Sequence, residues 1–268
     1  MAQRPPQILI VLPAYNAAKT LMQTLEEIPA ELRKNTLIVD DCSTDETVKL
    51  AREAGLMVIC HKKNLGYGGN QKTCYSRALE LGADIVVMVH PDHQYDATVI
   101  PDLLRPILQG KADAVFGSRM LGGKPLEGGM PWWKYDANVC LTGLANIVFR
   151  RYLTEIHSGF RAYSRKYLET VRFEQNSNDF IFDTQIIAQG MANGLFFEEV
   201  PIVTRYFPEA SSINLRRSIW YGLGILWTLF RYFFHRHFHP DQLFKPKNVS
   251  IPSVNSEFSL SETISEEP

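Results

Sequence analysis

Side chains that could bind a divalent cation follow an apolar, β-branched segment of this chain. Residues 86–89 read Val-Val-Met-Val, and His90, Asp92, His93 and Asp96 come shortly after them. Ligands of an open α/β sheet bind just beyond the carboxyl ends of its strands. Carboxylate oxygens and imidazole nitrogens are ligands for such cations. The spacing therefore predicts a metal site at the end of a buried strand.

A second pair of carboxylates, Asp40 and Asp41, follows the apolar run at residues 36–39. Adjacent carboxylates after a buried strand are costly to desolvate unless they are used. A carboxylate accepts hydrogen bonds from a base N–H or a ribose hydroxyl, and helix capping is the alternative role. We favour a binding role for this pair.

Residues 64–70 form a glycine-rich segment, Asn-Leu-Gly-Tyr-Gly-Gly-Asn, that precedes a predicted helix at 71–81. Free backbone N–H groups at a helix N-terminus suit a phosphate. A flexible turn before the helix explains the glycines equally well, and both interpretations stay open.

Apolar runs alternate with helical patterns from residue 8 to residue 116. Runs this continuous are typical of strands buried on both faces of a parallel sheet. The predicted strands are 8–12, 36–39, 57–60, 84–89, 112–116 and 196–203, and the predicted helices are 17–31, 46–54, 71–81, 98–108, 132–151, one from about 165 and one after 183. The alternation predicts an α/β fold with a mostly parallel central sheet flanked by helices.

The bulk composition sets wider bounds. The chain has 268 residues, 45% of them hydrophobic, which suits one large domain or two small ones. A net charge of −1 gives no general attraction to nucleic acid, so we expect no nucleic-acid partner. The four cysteines contain no C-x-x-C pair and residues 1–7 lack the apolar core of a signal peptide, so we expect a cytoplasmic protein with reduced thiols.

The C-terminal part of the chain carries a dense aromatic segment at residues 219–234, flanked by basic residues. Its longest uncharged stretch is too short to cross a bilayer, which needs about 20 residues. We expect a helix lying in the membrane interface, with docking on the protein's own core or in a homodimer as alternatives. The expected division is a catalytic domain at 1–213, this helix at 214–239 and a disordered tail at 240–268.

Seven short segments, each weak by itself, occur in the order in which family 2 glycosyltransferases carry them. The chain therefore resembles that family, in particular its polyprenyl-phosphate, or dolichol-phosphate mannose synthase-like, branch. The matching segments are 12–16, 38–47, 64–68, 92–94, 117–119, 158–161 and 199–202, and together they span roughly residues 8–205.

The resemblance implies a GT-A fold, a UDP- or GDP-linked sugar donor and a divalent cation, Mg²⁺ or Mn²⁺. It places Pro13, Ala14, Tyr15, Asp41 and Gly66 around the nucleotide. The chemistry agrees, because an aromatic ring packs on a flat base and a carboxylate accepts hydrogen bonds from it.

The family's metal motif, Asp-x-Asp with Gln two residues on, is altered here because His90 replaces the first Asp. Asp92 remains the expected metal ligand, and Gln94 is expected near the sugar or the acceptor phosphate. Three roles stay open for His90: it ligates the cation, contacts the sugar or only hydrogen-bonds its neighbours. Imidazole is tolerated better by Mn²⁺ than by Mg²⁺. The comparison with the family's motif removes His93 and Asp96 from the candidate metal ligands and leaves them as loop residues.

The resemblance places two further residues near the acceptor. Arg119 is expected to reach a phosphate or the acceptor, with a structural salt bridge as the alternative. Asp183 is the candidate catalytic base, and Asp179 is its alternative. A phosphate acceptor, however, is already an anion and needs no strong base.

The family closes a mobile loop over the donor phosphates, and Arg205 with residues 206–212 occupies that place here. The Lys of the family's loop is missing, and Arg216 or Arg217 could substitute for it.

These expectations combine into one function, a metal-dependent, inverting transfer of a sugar to a polyprenyl phosphate at the inner face of the membrane. A different acceptor, namely a sugar, another lipid or a small molecule, is the first alternative. A non-catalytic binding protein of the same fold is the second. A homo-oligomer is compatible with all three.

Overall fold

Seven strands form a mixed sheet in the part of the molecule that the computed structural model describes, residues 4–122, 125–205 and 215–247. The strands are β1 (Ile8–Ala14), β2 (Thr36–Asp40), β3 (Met57–Cys60), β4 (Ile85–Met88), β5 (Ala114–Ser118), β6 (Arg161–Ser164) and β7 (Phe197–Pro201). Their order across the sheet is β3-β2-β1-β4-β6-β5-β7. All pairs are parallel except those of β6 with β4 and with β5. The predicted α/β class with a mostly parallel sheet is confirmed.

Helices cover both faces of this sheet. They are α1 (Leu21–Glu27), α2 (Ala30–Arg33), α3 (Thr47–Glu53), α4 (Tyr67–Glu80), α5 (Ile100–Leu108), α6 (Trp132–Phe149), α7 (Arg165–Thr170), α8 (Phe182–Ala192) and α9 (Leu215–His237). One apolar core takes side chains from α1, α3 and α5, and the other takes them from α4 and α6 to α9.

The apolar strands follow from these two layers. Along β1, Leu9 and Val11 enter one core, whereas Ile10 and Leu12 enter the other. Successive side chains of a strand point to opposite faces. A strand covered on both sides therefore needs apolar residues throughout, which is why the sequence pattern located β1, β2 and β4.

Strand β6 was missed by the sequence pattern. Residues 158–161 were recognised only as a family motif, yet Arg161–Ser164 form an antiparallel strand between β4 and β5. Arg161 pairs with Met88 at the carboxyl end of β4 and with Phe116 on β5. The residues just before β6 therefore lie at the same edge of the sheet as His90.

Helix α9 presents two different faces. Its inner residues Ile225, Leu229 and Tyr232 are buried in the core that it shares with α6 and α8. Large apolar side chains on its outer face are each at least 40% exposed: Ile219, Trp220, Leu223, Leu226, Trp227, Phe230, Phe233 and Phe234. Docking on the protein's own core thus accounts for one face of this helix. Among the described residues, no helix is long and apolar enough to cross a membrane.

The residues directly after α9 are packed rather than disordered. Asp241 accepts hydrogen bonds from the Arg231 guanidinium at 2.7 and 2.9 Å. Leu243 and Phe244, in a single 3₁₀ turn, are buried in the same core as α9. The expectation of a disordered tail from residue 240 is therefore corrected for residues 241–247, and the rest of that tail lies outside the described residues.

Candidate active site

A cleft of about 750 Å³ opens at the carboxyl ends of β1, β2 and β4. The sequence predicted seven of the residues that line it, and these are Pro13, Ala14, Tyr15, Asp41, Gly66, His90 and Asp92. They meet because parallel strands end at one edge of the sheet. We refer to this space as the donor cleft.

The rim of the donor cleft is fixed by hydrogen bonds between two loops. Asn16, in a left-handed conformation with φ of 52°, donates its backbone N–H to Ser43 Oγ at 2.8 Å. Its side-chain oxygen accepts from the backbone N–H of Thr44 at 2.9 Å. These contacts leave the Tyr15 ring 56% exposed on the cleft wall, where a flat base can pack on it.

The buried Asp41 lines the cleft and also holds the glycine-rich segment in place. Its carboxylate accepts from the backbone N–H of Leu65 at 2.8 Å and of Gly66 at 2.9 Å. His61 Nδ1 lies 2.7 Å from the same carboxylate. Asp41 thus holds the glycine-rich segment against β2. Asp40 turns elsewhere, and one of its oxygens accepts from the backbone N–H of Ser43 at 3.0 Å.

The glycine-rich segment uses its backbone N–H groups within the protein. Gly68 and Gly69 donate to the carbonyl oxygen of Asn178, at 2.8 and 3.4 Å. A Cβ atom on Gly68 would overlap the carbonyl oxygen of Ser177. Of the two open interpretations these contacts favour the structural one, because the glycines allow residues 177–178 to approach α4 closely.

The corner that contains Asp92 is rigid. Thr20 Oγ1 donates to the carbonyl oxygen of Pro91 at 2.6 Å, and Asp92 Oδ1 accepts from the backbone N–H of Gln94 at 3.1 Å. His93 turns away from the cleft and lies 3.0 Å from Glu27 Oε1. Asp96 caps the 3₁₀ turn that precedes α5.

His90 belongs to a buried polar network beneath the cleft. Its Nε2 lies 3.3 Å from Tyr67 Oη, and the two rings stack with centroids 5.5 Å apart. A Cβ atom on Gly159 would overlap His90 Nε2, so the ring occupies space that only a glycine at 159 leaves open. Burial lowers the pKa of His90 below its ordinary value, although Asp92 and Asp183 oppose the shift. The imidazole is therefore neutral, with one nitrogen able to accept.

Asp183 contacts three other members of this network. It accepts from Tyr67 Oη at 2.8 Å and from Gln71 Nε2 at 3.1 Å, and Arg161 Nη1 lies 3.4 Å away. The Arg161 side chain is itself fully buried on β6. These contacts favour a positioning role for Asp183 over the proton transfer that the resemblance suggested. Asp179, the alternative base, is exposed at the mouth of the donor cleft.

A second cavity, of about 170 Å³, adjoins the donor cleft. The two spaces share Tyr67, His90, Asp92 and Phe180 as walls. Its other walls include the predicted residues Gln94, Arg119 and Asp183, together with Lys134, Asn138, His157, Ser218 and Tyr221. We refer to this space as the acceptor cavity. Asp92 and His90 lie on the partition where a group could pass from one space to the other.

Arg119 makes the structural salt bridge that was expected as the alternative, and it also lines the acceptor cavity. Its Nε donates to Glu155 Oε1 at 2.8 Å in a buried ion pair. Glu155 Oε2 also accepts from the Arg119 backbone N–H at 2.8 Å. The pair fixes the guanidinium on the cavity wall.

Arg205 is the last described residue before residues 206–214, and it contacts the corner that contains Asp92 and Gln94. Its backbone N–H donates to Gln94 at 2.9 Å, and its guanidinium donates to Glu27 at 2.7 Å. This pairing competes with the phosphate contact expected of Arg205. Residues 206–212 and the Arg216 side chain lie outside the described residues, whereas Arg217 lines the donor cleft.

The residues of the acceptor cavity that sequence reasoning missed include Tyr67, Lys134, Asn138 and His157. Tyr67 lay inside a recognised segment, and only its backbone was considered there. Lys134 and Asn138 stand four residues apart on α6, which places them on one helix face. That spacing is ordinary, so it gave no signal before the packing of α6 was known.

The sequence of the chain matches a described family. Residues 9–172, more than half of the chain, match glycosyl transferase family 2. The chain therefore belongs to glycosyl transferase family 2, and it is a glycosyltransferase.

Two archaeal relatives align over most of their own lengths. An uncharacterized protein of Methanocaldococcus jannaschii is 30% identical over 223 residues, which cover 83% of this chain and 90% of that protein. The UDP-N-acetylglucosamine–dolichyl-phosphate N-acetylglucosaminyltransferase of Methanococcus voltae is 29% identical over 240 residues, which cover 82% of this chain and 95% of that enzyme.

Among solved structures, glucosyl-3-phosphoglycerate synthase from Mycobacterium tuberculosis has the same fold. Its complex with Mn²⁺, UDP and phosphoglyceric acid superposes with a TM-score of 0.63 at 18% identity, over 85% of this chain and 78% of that chain. At this identity the likeness establishes the fold alone, and it confirms the GT-A fold.

Proposed function

We propose that this enzyme transfers a sugar from a UDP- or GDP-sugar to a polyprenyl-phosphate-type lipid, with inversion and with a divalent cation, at a membrane surface. One observation carries the proposal: the donor cleft and the acceptor cavity meet at His90 and Asp92. A sugar held on the donor side would present its anomeric carbon at that partition. An acceptor oxygen entering from the other side would attack opposite to the leaving diphosphate.

The residues of the donor cleft fit a cation that arrives with the donor. No group of three His, Cys, Asp or Glu residues is arranged to hold a metal in the described part of the chain. Mg²⁺ is usually bound by one or two carboxylates together with substrate phosphates and waters. Asp92 supplies such a carboxylate, and His90 adds an imidazole that suits Mn²⁺. The bound cation would supply neutralisation of the leaving diphosphate.

A phosphate acceptor agrees with the surroundings of Asp183. Its hydrogen bonds to Tyr67 and Gln71 and its proximity to Arg161 leave it poorly placed to remove a proton. A phosphate oxygen carries its negative charge already and needs no such removal. The name of the Methanococcus relative, which includes dolichyl phosphate, points to the same acceptor class.

The outer face of α9 supports the membrane part of the proposal. Its apolar side chains recur at helical spacing, and exposed Arg217, Arg236 and His237 stand near its ends. An apolar stripe flanked by cations is typical of helices that lie in the membrane interface. Ser218 and Tyr221 of the same helix line the acceptor cavity, so a lipid phosphate held there would lie beside the bilayer surface.

The test is a transfer assay with labelled UDP- and GDP-sugars, Mn²⁺ or Mg²⁺, and polyprenyl phosphate. We expect label in a lipid-extractable product with at least one donor. Asp92→Asn should lower kcat/KM by about 100-fold or more, since several kcal/mol of charge stabilisation is lost, and Asp96→Asn is the matched control. Label only in a water-soluble product would refute the lipid acceptor, and full activity of Asp92→Asn would refute the metal assignment.

A further inference from the structure

Two buried nitrogen atoms on the wall of the acceptor cavity, and a lysine beside them, have no partner among the described residues. Asn138 is 9% exposed, and its Nδ2 makes no hydrogen bond among the described residues. His157 Nε2 is likewise buried without a hydrogen-bond partner there. Lys134 makes no ion pair within the described ranges. Buried nitrogen atoms left unpaired cost free energy, so two of them on the wall of one cavity, beside a lysine, indicate a ligand that accepts hydrogen bonds.

The hydrogen bond at His157 Nδ1 determines whether the other ring nitrogen, Nε2, donates or accepts. Burial, aided by Arg119 and Arg161, lowers the pKa of His157 to about 3, although an interaction with the Asn138 backbone opposes the shift, so its ring is neutral. Its Nδ1 lies 3.1 Å from Tyr221 Oη, and burial raises the pKa of that tyrosine, which keeps its proton. When Tyr221 donates to Nδ1, the single imidazole proton is on Nε2. The cavity then meets an N–H donor.

Lys134 is a cation of the cavity wall that makes no ion pair within the described ranges. Arg119 is paired with Glu155, and the nearby Arg161 with Asp183, which also lines the cavity. Burial, together with Arg119, lowers the pKa of Lys134, and Glu155 opposes the shift. A buried cation of this kind is stabilised when an anion accompanies it. Asp92 also lines the cavity, but it faces the donor cleft as well.

We propose that Lys134, Asn138 and His157 bind the phosphate group of the acceptor and set the enzyme's requirement for a phosphate-bearing acceptor. The inference rests on the proposed function for its substrate class and adds the residues that recognise it. A phosphate group has several acceptor oxygens, enough for one charged and two neutral donors. Lipid phosphates and small soluble phosphates share this chemistry.

The test compares Lys134→Met and Asn138→Leu with wild type, and Lys111→Met is the control because Lys111 is exposed outside both cavities. Acceptor KM is measured with farnesyl phosphate and with glycerol 3-phosphate. We expect each cavity variant to raise acceptor KM about 10-fold or more. The donor KM, the Kd for UDP and kcat should change less than about threefold, and Lys134→Arg should restore most of the acceptor affinity.

Two results would overturn the inference. One is an unchanged acceptor KM in both cavity variants. The other is a change with farnesyl phosphate only, which would place these residues against the isoprenoid chain. If wild type makes no product with either acceptor, the proposed function fails separately. Titration of glycerol 3-phosphate into the protein saturated with UDP and Mn²⁺ then decides the inference, because binding that Lys134→Met does not weaken contradicts it.

Discussion

His90 stands where the family carries a carboxylate, and its surroundings restrict what it can do. Its ring is confined between Tyr67 and Gly159, and its Nε2 faces the tyrosine hydroxyl. The ring also lines both the donor cleft and the acceptor cavity. A neutral imidazole in this position offers one lone pair where the family offers a charged, hard oxygen ligand.

Replacing His90 with Asp is expected to shift the metal preference. The ratio of activity with Mg²⁺ to activity with Mn²⁺ should rise several-fold, because a hard oxygen ligand replaces a nitrogen. Initial rates over a concentration series of each metal measure the ratio. His93→Asn is the control, since His93 turns out of the cleft and its left-handed φ of 56° suits Asn. An unchanged ratio in His90→Asp would exclude His90 as a ligand.

Asp183→Asn separates a positioning role from a catalytic base. Removing one partner of a buried ion pair leaves Arg161 uncompensated, which should cost about 3 kcal/mol of unfolding free energy. Urea denaturation measures that loss, and Asp179→Asn on the exposed loop should stay within about 0.5 kcal/mol of wild type. The opposite result would be an Asp183→Asn variant that is as stable as wild type but whose kcat no longer depends on the ionisation of a basic group. That result would show that Asp183 is a catalytic base.

At the scale of single residues, the sequence named seven residues that line the donor cleft but missed several that line the acceptor cavity. Tyr15, Asp41 and Asp92 follow the ends of strands, and strand ends are visible as the points where apolar runs stop. Asn138 and His157 reach their cavity through the packing of α6 and the turn before β6. Neither depends on a local pattern, so only the tertiary structure reveals them.

Among the elements, α4 shows what a local pattern leaves undecided. The glycine-rich segment was predicted to precede a helix at 71–81, but its last four residues form the first turn of α4, which begins at Tyr67. The glycines, however, accommodate residues 177–178 instead of a phosphate. Their partner lies more than 100 positions away in the chain, beyond the reach of a local pattern.

Gly68→Ala tests this packing. The added methyl group would overlap the Ser177 carbonyl oxygen and lie 2.8 Å from Phe182 Cβ, so we expect a loss of about 1–3 kcal/mol in stability. Gly143→Ala on α6 is the matched control, because no atom lies within 4 Å of its added Cβ. That change should stabilise the protein by up to about 1 kcal/mol. Equal melting temperatures for the two variants would contradict the close approach.

For the whole molecule, the outer face of α9 predicts how the enzyme associates with its surroundings. Leu223→Ser combined with Phe230→Ser should reduce sedimentation with anionic lipid vesicles about tenfold or more, since each buried apolar side chain contributes roughly 1.5–3 kcal/mol. Leu108→Ser with Phe196→Ser is the control, because both residues are about as exposed but lie away from α9.

Two outcomes would refute membrane binding by this face. The first is wild-type protein that stays in the supernatant with every vesicle composition. The second is a double variant that still sediments but changes from a dimer to a monomer in size-exclusion chromatography, which would assign the face to a second copy of the chain.

The antiparallel strand β6 has a consequence for how the protein is made. It lies between β4 and β5, so the sheet stays open along the β4 edge until residues 161–164 are available. A growing chain on the ribosome would hold β1 to β4 with an unpaired edge, which is prone to wrong pairing. The part of the sheet that lines the donor cleft therefore cannot be completed before β6 is available, and a fragment that ends before residue 161 should aggregate rather than fold.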